Sequence, residues 1–187
     1  MCLGSYSSRG LPTNFSEEPY FAYGSNLHPM RLGERVPSAE LLGTATQPGH
    51  RLVFHKKGHD GSGKCNMFES GSESDQVFGA IYSLNPEHKD DLDRFEGEGY
   101  GYIDNQIMRS HDENNYTCFT YLARQSHIVD SLKPYHWYKA LVILGANYLG
   151  FPDSYIASIE AVTSMEDPDP KRREERELLI ECIMNYR

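Results

Sequence analysis

Cysteine is scarce and scattered in this sequence. The chain holds four, Cys2, Cys65, Cys118 and Cys182, and no two of them form a Cys-x-x-Cys pair. Such spacing gives no reason to expect a structural zinc site. The start, Met1-Cys2-Leu3-Gly4-Ser5, has no basic segment followed by an apolar one, so no signal peptide is read there. Sparse cysteines without a signal peptide are expected to be reduced thiols in a cytoplasmic protein, with Cys65 and Cys118 as free core residues. No apolar run is long enough to span a bilayer, so no membrane partner is expected. Positive charge is also short. Lys and Arg total 18 against 27 Asp and Glu, a net charge of −9. Binding phosphates needs a basic surface, so no nucleic-acid partner is expected. The basic cluster Lys171-Arg172-Arg173 is offset by Glu174 and Glu175. A negative chain can still hold a small anionic substrate at a local cluster of donors.

What is present is ordinary for a soluble globular protein: 39% hydrophobic and 24% charged residues over 187 positions. That length fits one domain with a real core. Residues 1–18, rich in Ser, Gly and Pro and without periodicity, read as a flexible arm, and 19–187 as the domain. Seven short strands are predicted: Tyr20–Tyr23, Leu41–Gln47, His50–His55, Lys64–Phe68, Gln76–Ser83, Ile103–Arg109 and Tyr116–Leu122, with Pro48-Gly49 and Asn114-Asn115 as turns. Gln76–Ser83 is apolar on both faces, as a central strand would be.

A short helix is predicted after the first strand, ending before Pro37. Asn85-Pro86 opens another, expected to run to about Phe95, bury Leu92 and Phe95 together, and stop at Gly97. The last third reads as helical: Pro134–Leu144 capped by Gly145, Pro152–Met165 with Ile156, Ile159 and Val162 on one stripe, and a helix opened by Asp169-Pro170. The charged half of that last helix is expected to be a solvated face. Its apolar half is expected to dock on the sheet or on another subunit. The order of elements implies an α+β fold, a mixed curled sheet or small β-barrel with flanking helices.

The stretch Tyr20-Phe21-Ala22-Tyr23-Gly24-Ser25-Asn26-Leu27 reads as a strand that breaks into a tight turn, with Pro29 starting a helix. Gly24 suits a positive φ, and the turn can present unpaired N–H groups to a carboxylate or an oxyanion. Glu96 sits where a helix ends and the glycine-rich run Gly97-Glu98-Gly99 begins, so it can project into a cavity. A surface carboxylate describes most of the chain's other glutamates. Glu98, its neighbour, reads as a loop residue, and Asp91 and Asp93 as exposed. His55 and His59, with Asp60, fall in a loop set by Gly58 and Gly61, so helical ligand geometry and a metal are not expected. Tyr135, His136, Trp137 and Tyr138 form an aromatic helix face that core packing largely explains.

Three segments in order resemble the gamma-glutamylcyclotransferase family: Tyr20–Leu27, then Phe95-Glu96-Gly97, then Tyr138-Lys139 with Gly145-Ala146 and Gly150-Phe151-Pro152. The resemblance spans roughly Tyr20 to Pro152 and implies a gamma-glutamylcyclotransferase-like fold. It implies Glu96 as the catalytic acid and base, and Tyr20, Phe21, Ala22, Tyr23, Gly24, Ser25 and Tyr138 as substrate contacts. The implied reaction converts a gamma-glutamyl amide into 5-oxoproline and a free amine, with no metal or cofactor. The implied partner is a small gamma-glutamyl compound, and the protein is expected to be a monomer or homodimer. The leaving group could be an amino acid, a peptide such as Cys-Gly, or an amine. The other reading is a non-catalytic small-molecule binding or interaction protein with the same pocket. Glu96 separates the two, because a degenerate relative would be expected to lose that carboxylate.

Overall fold

Residues 18–97, 99, 101–111 and 114–186 are described by a computed structural model. The expected arm lies outside them apart from Glu18, as do Glu98 and Tyr100. All seven expected strands are present, most of them longer by a residue or two: β1 Glu18–Ala22, β2 Glu40–Pro48, β3 His50–Lys57, β4 Gly63–Glu69, β5 Gln76–Leu84, β6 Tyr102–His111 and β7 Asn114–Ala123. Five form one mixed sheet in the order β2-β5-β1-β7-β6, and β3 and β4 form a separate two-stranded sheet. β1 lies at the centre, antiparallel to β5 and parallel to β7, with Tyr20 opposite both Tyr82 and Phe119. β5 is internal, as its two apolar faces require; Val77, Ala80, Ile81, Tyr82 and Leu84 are all buried.

The large sheet curls without closing into a barrel. Its two edges approach each other, and there the His111 Nδ1–H donates to the Thr44 carbonyl at 3.1 Å. A Cβ on Gly43 would stand 2.1 Å from His111 Nε2, so this approach needs glycine. No ladder joins β2 to β6 among the described residues. Asn114 and Asn115 are not the hairpin turn. They pair with His111 and Ser110 inside the β6–β7 ladder, because the strands run on to the ends of their alternating pattern.

Among the described residues five α-helices flank the sheets: α1 Pro29–Gly33, α2 Lys89–Glu96, α3 His136–Tyr148, α4 Asp153–Glu160 and α5 Pro170–Met184. Asn85 caps its helix as expected, but the first turn, Pro86–His88, is 3-10 before α2 begins. Leu92 is fully buried and Phe95 is not. Phe95 is 57% exposed and carries the Arg35 guanidinium 5.4 Å from its ring centre. Residues three apart diverge by about 60° around a helix, so Leu92 turns inward while Phe95 meets a surface cation.

Gly145 does not cap α3, which runs on to Tyr148. A Cβ there would come within 2.4 Å of Leu27 Cβ, so the glycine lets α3 lie against the turn after β1. α4 is shorter than its apolar stripe suggests and ends at Glu160, with Val162 beyond it. The apolar half of α5 docks mainly on α3, burying Leu179 and Ile183; in its charged half Lys171, Glu174, Glu175 and Glu177 are exposed, as expected of a solvated face, while Arg172 and Arg176 line a cleft.

Candidate active site

The chain leaves β1 at Ala22 and turns through Gly24-Ser25-Asn26 into α1. The Leu27 N–H closes the turn on the Gly24 carbonyl at 3.1 Å, and the Tyr82 hydroxyl donates to the Leu27 carbonyl at 2.7 Å. The N–H groups of Gly24, Ser25 and Asn26 make none of the turn and loop hydrogen bonds found among the described residues. His28 then caps α1, its Nδ1 accepting from the Met30 N–H at 3.2 Å, with Pro29 in the first turn. Gly24 does not adopt a positive φ. It is small for another reason: a Cβ would press on Cys65 Cβ at 3.1 Å, with the Tyr138 hydroxyl 3.7 Å away.

α2 brings Glu96 to the same place. Gly97 ends the helix in the left-handed region, φ 69°, which only glycine adopts readily. Glu96 is therefore the last helical residue, one turn beyond the buried Leu92. Its carboxylate accepts from Arg35 Nη1 at 2.7 Å and from Asn26 Nδ2 at 3.0 Å, both on Oε1. The same Arg35 nitrogen donates to Asn26 Oδ1 at 3.0 Å. Arg35, Asn26 and Glu96 thus form a closed triangle of charge-assisted hydrogen bonds. Both charged partners are largely shielded, at 15% and 16% side-chain exposure.

Around this triangle lies a recess of about 290 Å³, partly open to solvent. Its walls are Tyr20 and Tyr23 from β1 and its exit, Gly24, Ser25 and Asn26 from the turn, Cys65 from β4, Tyr102 and Tyr121 from β6 and β7, Tyr138 from α3, and Glu96. The phenols hold one another in place. Asn26 Nδ2 donates to the Tyr20 oxygen at 3.2 Å, the Tyr23 hydroxyl donates to the Tyr121 carbonyl, and the Tyr102 hydroxyl donates to the Cys65 carbonyl at 2.5 Å. The Tyr138 oxygen accepts from the Cys65 N–H at 3.2 Å. The Tyr121 hydroxyl donates to Asp93, which is half-buried beside Lys89 rather than exposed.

Burial, and then the nearby Glu96 charge, pushes Tyr20 well above the usual phenol range. Burial does the same for Tyr23, Tyr102, Tyr121 and Tyr138, so all five stay neutral. Burial also pushes the Cys65 thiol up to about 12. A thiol so rarely ionised is a poor nucleophile, and Glu96 is the one carboxylate among the described residues that line the recess.

The structure brings together Glu96, Tyr20, Tyr23, Gly24, Ser25 and Tyr138. It does not bring Phe21 and Ala22. Both are fully buried and neither lines the recess. Alternation along β1 sends Phe21 to the opposite face of the sheet, where it fills the space that Gly79 leaves free. Ala22 is too short to reach past its neighbours.

The recess opens into a wider cleft of about 930 Å³; Ser25, Glu96, Tyr102 and Tyr138 line both. Cations dominate the cleft: Arg31 and Arg35 from α1 and just after it, Lys56 and Lys64 from the two-stranded sheet, Arg172 and Arg176 from α5. Lys64 pairs with Asp60 at 2.7 Å, and Arg172 grips the buried Asp167 with two nitrogens at 2.7 and 2.5 Å. The aromatic face of α3 serves these cations. Lys64 lies 4.9 Å from the Trp137 ring centre and 4.6 Å from that of Tyr138, and Arg176 lies 5.6 Å from that of Trp137. Sequence reading misses Arg35, Asn26 as a ligand of Glu96, and the whole cationic wall. The one local signal for Arg35 is its position a helical turn after Arg31, where it faces the same way.

A sequence profile of the AIG2-like family matches residues 76–159, the segment that holds Glu96 and Tyr138. Gamma-glutamylcyclotransferase from Bos taurus is 31% identical over 150 residues, covering 76% of this chain and 77% of that one. The enzyme of the same name from Mus musculus is 31% identical over 156 residues, covering 79% of each. A solved structure of a gamma-glutamyl cyclotransferase superposes with a TM-score of 0.77 at 28% identity, covering 89% of this chain and 99% of that one. Identity at this level over three quarters of both chains, together with the shared fold, makes this chain a member of the gamma-glutamylcyclotransferase family of enzymes.

Proposed function

We propose that the protein cyclises a gamma-glutamyl amide, releasing 5-oxoproline and the free amine, with Glu96 as base and then acid. One observation supports this most: a shielded carboxylate, clamped on Oε1 by Arg35 and Asn26, at the edge of a recess whose other titratable walls are neutral. The substrate carries its own nucleophile. Its α-amino group reaches the γ-carbonyl when the chain folds back, and a small rigid recess can hold that fold as a near-attack shape. Glu96 takes a proton from the α-ammonium. The freed amine attacks the γ-carbon and a C–N bond forms. The oxyanion is met by N–H groups of the Gly24–Asn26 turn, which the fold leaves without turn or loop partners. Glu96 passes that proton to the departing nitrogen, the old amide C–N bond breaks and the carbonyl re-forms; the second proton of the attacking nitrogen then leaves through Glu96 to the released amine, which departs as its ammonium. Both protons end on the released amine and no electrons are exchanged, so the balance calls for no co-reactant.

Tyr20, Tyr23, Gly24, Ser25 and Tyr138 would contact the gamma-glutamyl unit, with Tyr102 and Tyr121 as further walls. Cys65, Cys118 and Cys182 are free thiols, which supports a reducing, cytoplasmic setting. The test is 5-oxoproline release from a panel of gamma-glutamyl compounds. Glu96→Gln keeps the shape of the side chain but cannot take the proton. We expect it to lower kcat by roughly 10²–10⁴-fold with little change in substrate affinity. Full activity in that variant would remove Glu96 from the reaction. Binding without any 5-oxoproline from the unmodified protein would favour the binding-protein reading.

A further inference from the structure

The cleft outside Glu96 is charged against the sign of the whole chain. A protein of net charge −9 lines it with six Lys and Arg side chains. Four of these have carboxylate partners: Arg31 with Glu34, Arg35 with Glu96, Lys64 with Asp60, and Arg172 with Asp167. Lys56 and Arg176 form no ion pair with a carboxylate among the described residues. Arg31 is 93% shielded, its side chain being 7% exposed, yet its Nε–H has no hydrogen-bond partner. The Nε–H of Arg176 is likewise buried and unpartnered. A buried guanidinium donor left unpaired is unfavourable, and an incoming anion would remove that penalty. The two side chains are close enough to feel each other. Burial first, and then the Arg35 and Arg176 charges, lowers Arg31 to about 10.

The cleft begins where the leaving amine must depart. Glu96, Ser25 and Tyr138 line both spaces, so a gamma-glutamyl unit in the recess points its amide nitrogen outward. We infer that the cleft selects a leaving group with a further carboxylate beyond the one that any amino acid carries, an acidic amino acid or acidic short peptide whose extra carboxylate is received by Arg31 and Arg176. The inference rests on the cyclotransferase reading for the orientation of the substrate. Arg31 would hold a carboxylate against α1 and Arg176 would meet it from α5. Lys64 and Arg172, already paired, would add field rather than a direct bond. Attraction between half-shielded charges exceeds that at an open surface, so each added carboxylate should raise apparent affinity by about tenfold. Added salt should weaken the preference.

The test compares gamma-glutamylglutamate, gamma-glutamylalanine and gamma-glutamylethylamide, whose leaving groups carry two, one and no carboxylates. Two readings are taken: kcat/KM for 5-oxoproline release by the unmodified protein, and calorimetric Kd on Glu96→Gln. The inference predicts the order glutamate, alanine, ethylamide in both. It also predicts that Arg176→Gln compresses the glutamate-to-alanine ratio at least fivefold. Arg176 forms no ion pair among the described residues, so this variant should stay folded where Arg31→Gln would leave Glu34 unpaired. The same order in Kd with no 5-oxoproline from any compound would uphold the cleft and sink the cyclisation. Equal kcat/KM for glutamate and alanine, or an Arg176→Gln ratio that does not move, would overturn the cleft and leave the cyclisation standing. Absence of both binding and turnover would overturn both.

Discussion

The recess and the cleft share a wall and are built on opposite electrostatic plans. The recess holds one carboxylate and five tyrosines whose burial keeps them neutral. The cleft holds six cations, kept charged by partial exposure, by carboxylates and by the rings of α3. A neutral wall leaves Glu96 as the one charged group among the described residues of the recess, which suits the single proton carrier of the proposed reaction. A charged wall distinguishes ligands by their charge, which suits selection. The difference predicts that changes in the recess register in kcat or folding, and changes in the cleft in KM and in ion-pair linkage.

The largest expected effect breaks the recess from behind. Leu92 is fully buried one turn before Glu96. Leu92→Ala should lower the unfolding free energy by about 2–5 kcal/mol and loosen α2. Thermal or denaturant unfolding reads this, and an unchanged midpoint would mean α2 is not anchored there. Next is Arg35, which in the proposed reaction positions the base through its hydrogen bond to Glu96 Oε1. Arg35→Ala should lower kcat by roughly 10–100-fold, and Arg35→Lys should restore part of it, since it keeps the charge but loses the fork. Equal loss in both would point to a purely structural role.

On the cleft side, the Arg172 guanidinium bonded to Asp167 holds that carboxyl down at about 2. Its folded value is below the unfolded one near 3.9, so the pair stabilises above about pH 4 and that contribution is lost as pH falls toward 2. The total is about 2 kcal/mol. Asp167→Asn should flatten the acid limb of a stability–pH curve in that window. Smallest is an expected lack of effect. Alkylation of the native protein near pH 8 should modify the exposed Cys182 and leave Cys65 unlabelled, because burial pushes its thiol up to about 12. Mass spectrometry of the peptides would show it.

The two regions also differ in how much of each is legible in the sequence. The recess is assembled from contiguous stretches with local signals: an aromatic strand breaking at Gly24-Ser25-Asn26, and a helix stopped by Gly97 just after Glu96. Short-range physics places the strands, α2, the turn and Glu96 at its helix end, while the expected site roles come from the family resemblance; six of those eight residues line the recess. Phe21 and Ala22 do not, because a motif marks a stretch of chain and strand alternation decides which of its side chains face the cavity. The cleft draws single residues from α1, β3, β4 and α5, and no local pattern unites them. Arg172 reads in sequence as part of a solvated face with Glu174 and Glu175. Only the docking of α5 on α3 turns it, and Arg176, inward. Gly24 and Gly145 make the same point. Both look like turn glycines, and both are set by the close approach of Cys65 and Leu27 from distant parts of the chain.

The central claim is that the bond is broken by the substrate's own amine rather than by water. The most direct measurement is product analysis after incubating the protein with a gamma-glutamyl amino acid in water enriched in heavy oxygen. The account predicts one 5-oxoproline for each amino acid released, with no label in the new lactam. Free glutamate carrying labelled oxygen in its γ-carboxylate would contradict it, because hydrolysis would then be the reaction and the recess would be positioning a water molecule.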